Sequence, residues 1–382
     1  MERDIKIREM PGMGKLATFV PNKALPIYNW FHYKEGFSRD FVFEVCSEFG
    51  LSSGDSVLEP FCGSGTVPLA CRQLGIDCFG FDVLPIAVFL SRVKTRDYDI
   101  QSLREEAGKV AAEKPPKPGV SYSHVTDLVR KSFAPFTLSD ILFYRERISE
   151  VSDEAAREFL FLALMDSAMK CSLFVKDGSC LKRADRHIPP LREIFRRRLG
   201  MMMKDIESFQ TMPCRTSIAY GDARRISLPD NSVDAVITSP PYLNKIEYTS
   251  VYRIEEDLFF GKSDSPGVRS FVGVDSSKLE ARDFEGIGFD MPLSAKPYFR
   301  DMEMAIAEFY RVCRPGARVA MVVGDGYIDN QAVDSCRILS EIAQGAGFTA
   351  NEIVVMNRRV ATTPSRRRVG ELKECMLLWT KG

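Results

Sequence analysis

Three histidines stand among 382 residues, and the ten cysteines form no C-x-x-C pair. Without His or Cys at metal-ligand spacing, the sequence argues against a zinc cage, and no metal is expected. No apolar run approaches the roughly 18–20 residues needed to cross a bilayer, so no membrane partner is expected. The start of the chain, MERDIKIREM (Met1–Met10), is charged and holds no signal-peptide core. The chain therefore reads as cytoplasmic, with its cysteines as free, mostly buried thiols. A net charge is also missing, because 52 Lys and Arg balance 52 Asp and Glu. That balance argues against coating nucleic acid by bulk electrostatics and leaves room for a local basic groove.

What is present suits a folded protein of two or three domains, or one large domain with an insertion. Apolar residues make up 45% and charged residues 27%, enough to build a core. Asp55–Phe61 reads as a buried strand, Cys62–Gly65 (CGSG) as a tight turn, and Thr66–Leu74 as a helix stopped by Gly75. Ile76–Phe81 reads as a second strand. Asp82 ends it, and Pro85 opens a helix to about Lys94. Strand, glycine turn, helix, strand, helix opens a doubly wound α/β sheet.

From about Tyr98 to Cys214 the pattern is helical, with Ala155–Ser172 as its longest apolar helix and no clear strand alternation. The α/β rhythm returns with strands at Thr216–Tyr220 and Val233–Thr238. A helix follows at about Asp301–Cys313 and a strand at Arg318–Val323. Two β-rich stretches, Glu352–Val360 and Glu374–Thr380, suit an antiparallel edge pair. The Gly- and Ser-rich stretch Gly261–Pro297 has the character of a functional or mobile loop.

LEPFCGSGT (Leu58–Thr66) puts Gly63 and Gly65 between strand and helix. A ligand packs on such a turn where no Cβ intervenes, and the helix start offers free N–H groups. The turn lacks both GxGxxG and GK[ST], which makes NAD and ATP poor candidates. Asp82, at the tip of the next strand, is placed to accept from ribose hydroxyls. A structural glycine turn remains the bland alternative, and the strand context with Asp82 favours a nucleoside ligand.

ITSPPY (Ile237–Tyr242) should project from the carboxyl end of its strand. Pro240 and Pro241 stiffen it and leave carbonyls free to accept. A Ser239 hydroxyl, a free carbonyl and the Tyr242 face at one rigid point suit a flat heterocycle bearing an exocyclic amine. In isolation the same residues also read as a plain proline turn.

Together, LEPFCGSGT and TSPPY resemble the amino-group DNA methyltransferases, which use S-adenosylmethionine. NWFHYKEGFSRDFV (Asn29–Val42), GFDVLPIAVFLSRVKT (Gly80–Thr95) and GDAR (Gly221–Arg224) extend the likeness. The resemblance implies a Rossmann-like class I methyltransferase fold. Its sheet would be mostly parallel and seven-stranded, with an antiparallel final hairpin and here a helical insertion. It also implies a division into residues 1–97 and 215–382 for the methyltransferase domain. Residues 98–214 would be an inserted subdomain able to bind nucleic acid. S-P-P-Y resembles the cytosine-N4 enzymes, whereas D-P-P-Y and N-P-P-Y are commoner among adenine-N6 enzymes.

Carried over by residue, Phe61, Gly63, Gly65 and Thr66 would shape the methionine and ribose pocket. Glu59 would bond near the cofactor's amino group, Asp82 the ribose and Asp222 the adenine amine. Ser38 would line the methionine side. Ser239, Pro240, Pro241 and Tyr242 would carry catalysis on the N4 amine of a flipped-out cytosine in DNA. Adenine N6, an RNA or tRNA base amine, or a non-catalytic nucleic-acid binder are the alternatives. A companion restriction endonuclease would be a possible partner. Two basic clusters, Arg196-Arg197-Arg198 and Arg366-Arg367-Arg368, suit phosphate contacts beside such a site, although either alone reads as a solvated face.

Overall fold

The computed structural model describes residues 5–33, 36–115, 125–177, 180–243, 251–261, 291–329, 331–362 and 368–382. Its strands are β1 Lys6–Glu9, β2 Ser56–Glu59, β3 Asp77–Asp82, β4 Phe174–Asp177, β5 Cys180–Arg183, β6 Thr216–Tyr220, β7 Val233–Thr238, β8 Cys313–Gly324, β9 Gly326–Ile328, β10 Gln331–Val333, β11 Phe348–Thr362 and β12 Arg368–Lys381. Its longer helices are α1 Arg39–Phe49, α2 Thr66–Leu74, α3 Pro85–Thr95, α4 Ile100–Ala112, α5 Asp127–Ser132, α6 Pro135–Ser149, α7 Glu154–Lys170, α8 Leu191–Ser208, α9 Lys296–Val312 and α10 Ser335–Gly345.

Eight strands form one sheet in the order β1-β11-β12-β8-β7-β2-β3-β6. From β6 to β8 all neighbours are parallel. Only β12 runs against its neighbours β8 and β11. From β2, an interior strand, the chain winds one way to β6 and the other way from β7 onward. That reversal makes the crevice at the carboxyl ends of β2 and β7 the topological switch point, where such sheets bind ligands.

The sheet has one strand more than the sequence suggested. β1 pairs in parallel with β11, from Lys6↔Glu352 to Glu9↔Val355, and takes the edge from the C-terminal hairpin. Lys6 and Arg8 reach the Glu352 carboxylate at 2.9 and 2.8 Å. Four residues of mostly charged sequence carry no apolar alternation, so this strand exists only through its pairing.

Neighbouring residues along the central strands feed opposite faces, the period-two rule of a sheet. Val57, Ala235 and Ile237 pack with Phe41, Val45 and Val67 of α1 and α2. Leu58 and Val236 pack with Phe299, Ile306 and Leu339 of α9 and α10. β2 is buried along its whole length, as expected where both faces are covered.

The segment between β3 and β6 contains α4–α8, but also the antiparallel hairpin β4–β5, which sequence alternation did not reveal. Its helices share a core with α3, with the aromatic segment around Trp30, and with the helical residues near Phe259. Trp30 meets Phe159 of α7 edge-on at 5.4 Å. Its indole N–H donates to Asp205 of α8 at 2.9 Å. Among the described residues, no helix is long and apolar enough to cross a membrane.

Candidate active site

Local chemistry shapes the glycine turn first. Gly63 has φ +49° and Gly65 φ +80°, the left-handed region that side chains rarely adopt. A Cβ on Gly63 would lie 3.1 Å from the Tyr33 ring, whereas one on Gly65 would lie 2.8 Å from the Ser91 Cα. Gly65 leaves room for α3 to pack against the turn. Gly63 keeps the open side, beside an aromatic ring. Cys62 is buried and its Sγ meets the Ser91 hydroxyl, a packing role.

Asp82 stands at the tip of β3 against this turn. One carboxyl oxygen accepts from the Gly63 N–H and the other from the Leu84 N–H, both at 2.9 Å. Burial raises its pKa to about 6, against the lowering effect of these N–H groups. Glu256, from a helical turn after the SPPY loop, accepts from the Ile86 N–H at the start of α3 at 3.4 Å. Burial lifts its pKa to about 7, and the nearby Asp82 charge adds to the rise. Glu256 gave no signal in the sequence, because 170 residues of chain separate it from Ile86.

The two predicted motifs meet. Thr238 ends β7 and donates its hydroxyl to Glu59 at 2.6 Å. The same Glu59 oxygen accepts from the Phe61 N–H at 3.1 Å. Glu59 is buried, and desolvation raises its pKa to about 8. Ser239 is thus one peptide away from a carboxyl group that also holds the glycine turn. Pro240 is buried, while Ser239, Pro241 and Tyr242 are half-buried. The Tyr242 hydroxyl donates to Glu374 of β12 at 3.1 Å.

Other expected residues have different surroundings. Ser38 is fully buried and caps α1, its hydroxyl accepting from the Phe41 N–H at 3.2 Å. It reaches the site indirectly, because Asn22 bridges the adjoining Phe37 carbonyl at 3.1 Å and the Thr66 hydroxyl at 3.5 Å. Asp222 is bound by the Arg224 guanidinium, at distances of 2.7 to 3.1 Å. Burial works to raise its pKa, and the Arg224 hydrogen bonds and charge outweigh it, so the carboxyl is held below its usual range.

The basic clusters divide. Arg198 is buried, ion-paired with Asp166 at 2.9 Å and donating to the Asn29 carbonyl at 2.8 Å. It holds α8 to α7 and the N-terminal segment, so the expectation that it meets phosphate is corrected. Arg196 is exposed and donates to the Ala111 carbonyl at 3.0 Å. Arg197 is exposed. Arg366 and Arg367 lie outside the described residues, as does the side chain of Arg368. Most of Gly261–Pro297, residues 262–290, also lies outside them.

The residues at the switch point fit S-adenosylmethionine. A side-chain-free Gly63 backbone, the half-buried Phe61 ring and an acid at the β3 tip offer apolar contact and hydroxyl acceptors. Strand order and glycine turn together are those of the class I methyltransferase fold. Residues 233–382 match the DNA methylase family of N6 and N4 methyltransferases. The type II methyltransferase M.BsoBI of Geobacillus stearothermophilus is 26% identical over 453 residues, covering 96% of this chain and 88% of its own. The type II methyltransferase M.AvaI of Nostoc is 26% identical over 440 residues, covering 96% and 89%. Among solved structures, a SAM-dependent methyltransferase from Aquifex aeolicus aligns with a TM-score of 0.30 and 12% identity, covering 88% of each chain. These matches support an amino-group DNA methyltransferase.

Proposed function

We propose that the chain transfers the methyl group of S-adenosylmethionine to the N4 amine of cytosine in DNA, on a base turned out of the duplex. The observation that carries the reading is the Thr238–Glu59 hydrogen bond. It ties the strand end bearing Ser239 to the strand end bearing the glycine turn. The S-P-P-Y sequence favours cytosine N4 over adenine N6, and the type II names of the relatives support a role beside a companion endonuclease.

The exocyclic amine is a weak nucleophile because its lone pair is conjugated with the ring. When bound, S-adenosylmethionine supplies an electrophilic methyl group on a sulfonium and departs as a neutral thioether. The Ser239 hydroxyl oxygen and the Pro240 carbonyl would accept the two amine N–H groups. That favours a pyramidal nitrogen and stabilises the positive charge it gains, an electrostatic effect fixed in advance by the folded loop. Pro241 holds the loop rigid and Tyr242 offers its ring to the base. After transfer, the extra proton on nitrogen leaves to solvent. Turning the base out of a duplex costs a few kcal/mol of unstacking. Phe61, Gly63, Thr66 and Asp82 would hold the donor, and its orientation supplies the remaining advantage.

Within this reading, residues 1–97 and 215–382 form the methyltransferase domain, and residues 98–214 an inserted subdomain with Arg196 and Arg197 facing DNA. The test is nucleoside mass spectrometry of host DNA and RNA after expression, with and without Ser239→Ala plus Tyr242→Ala. The expected product is N4-methylcytosine in DNA, lost in the double variant. N6-methyladenine, a product in RNA, or full transfer by the double variant would each overturn this assignment.

A further inference from the structure

The residues that follow the SPPY prolines are packed against the far end of β8 and against β12, neither of which bears a motif used above. A Cβ on Gly324 would lie 3.0 Å from two ring atoms of Tyr242, and one on Gly326 would lie 2.7 Å from Leu243. Both glycines have ordinary backbone angles, so their smallness serves the close approach of this loop. Asp325, between them, accepts from the Lys373 N–H at 3.0 Å and so ties the strand end to β12. The next residue of β12, Glu374, accepts the Tyr242 hydroxyl at 3.1 Å. The phenol ring is thus bounded along one side by bare backbone and fixed at its tip by a carboxylate.

We propose that Glu374 is a positioning residue for methyl transfer. It holds the Tyr242 ring on the Gly324 floor at the angle a turned-out base must meet. The inference rests on the function proposed above. A ring pinned only at its Cβ can swing about its first two side-chain torsions. A hydrogen bond from the hydroxyl to a second strand removes that freedom before the base arrives, which shifts cost away from the reacting complex. Glu374 acts through the hydrogen bond that it accepts from the Tyr242 hydroxyl.

The experiment measures kcat, and KM for unmethylated plasmid DNA, with radiolabelled S-adenosylmethionine. The proteins are wild type, Glu374→Leu, Glu374→Gln, Tyr242→Phe and the Glu374→Leu/Tyr242→Phe double variant. Calorimetry gives S-adenosylmethionine affinity for each. Glu374→Leu and Tyr242→Phe should each lower kcat about tenfold, the change one such hydrogen bond commands. Cofactor affinity should be unchanged, and the double variant should be no slower than either single. Glu374→Gln still offers an acceptor oxygen and should restore most of the rate. Tyr242→Phe keeps the ring on Gly324, so it carries the test if Glu374→Leu proves unstable. Losses that multiply in the double variant, a Tyr242→Phe enzyme of wild-type rate, or no rescue by glutamine would overturn the proposal. A wild-type chain that transfers no methyl to DNA would overturn the underlying function instead.

Discussion

The Thr238 hydroxyl donates to the Glu59 carboxyl at 2.6 Å, joining the last residue of β7 to the last residue of β2 across the switch point. In sequence the two stand 179 residues apart. The bond sets the distance between the glycine turn and the SPPY loop, because Glu59 also accepts from the Phe61 N–H.

Glu59 makes folding stability depend on pH. Its folded pKa is about 8, raised by desolvation, against roughly 4.3 in an unfolded chain. Between these values the native state holds a proton that the unfolded state has released. Stability therefore falls as pH rises through that window, by at most about 1.4 kcal/mol per pH unit for one proton. Asp82, with a folded pKa of about 6, and Glu256, with one of about 7, add to the fall over the lower part. Calorimetric melting of the ligand-free protein from pH 5 to 8 should show this decline, and Glu59→Gln should make it shallower, most of all between pH 7 and 8. A wild-type curve that rises over the range would contradict the assignment.

The two glycines of the turn should tolerate alanine differently. Gly65→Ala combines a φ of +80° with a Cβ 2.8 Å from the Ser91 backbone. Backbone cannot step aside, so a loss of about 1–3 kcal/mol is expected. Gly63→Ala combines a φ of +49° with a nearest contact to the Tyr33 ring, at 3.1 Å, which can give way more readily than backbone. It should cost less stability and act mainly on cofactor affinity. Melting and calorimetric titration of both variants separate the two effects, and equal losses of stability would refute the distinction.

Arg197 and Arg198 are neighbours with opposite fates. Arg198→Ala removes the buried partner of Asp166, which keeps Lys170 at 2.7 Å, and should cost about 1.5–3 kcal/mol of stability, the range for a hydrogen bond to a charged group. Arg197→Glu alters only an exposed side chain, so melting should barely change. If α8 meets DNA, the salt dependence of binding should flatten by about one counterion for each phosphate the arginine no longer neutralises. An Arg197→Glu protein with the wild-type salt slope would remove α8 from the DNA-facing surface.

Several parts of the molecule were legible before any fold was known. Thr66–Leu74 is helical to the residue and Gly75 ends it in a left-handed turn. Thr216–Tyr220 and Val233–Thr238 are strands at the expected bounds. These segments carry their own signals: apolar period, glycine stops and strand ends next to turns. β1 and the β4–β5 hairpin gave no such signal, since short polar strands are made by their partners. The contacts of Glu256, Glu374 and Gly324 with the motif segments also gave no sequence signal. A Gly-x-Gly at the end of β8 could have warned of a loop packed close, but not of which loop.

The sequence by itself determined the strand–helix order around the two motifs, the glycine turn and the rigid proline loop, because each depends on residues within a few positions of one another. Only the tertiary structure decided that Glu59 bridges the two motifs, that Arg198 belongs to the interior while Arg197 faces water, and that Tyr242 leans on β8 and β12. Those outcomes depend on how strands far apart in the chain align side by side, and no local pattern of residues encodes the burial or the partner a side chain meets there.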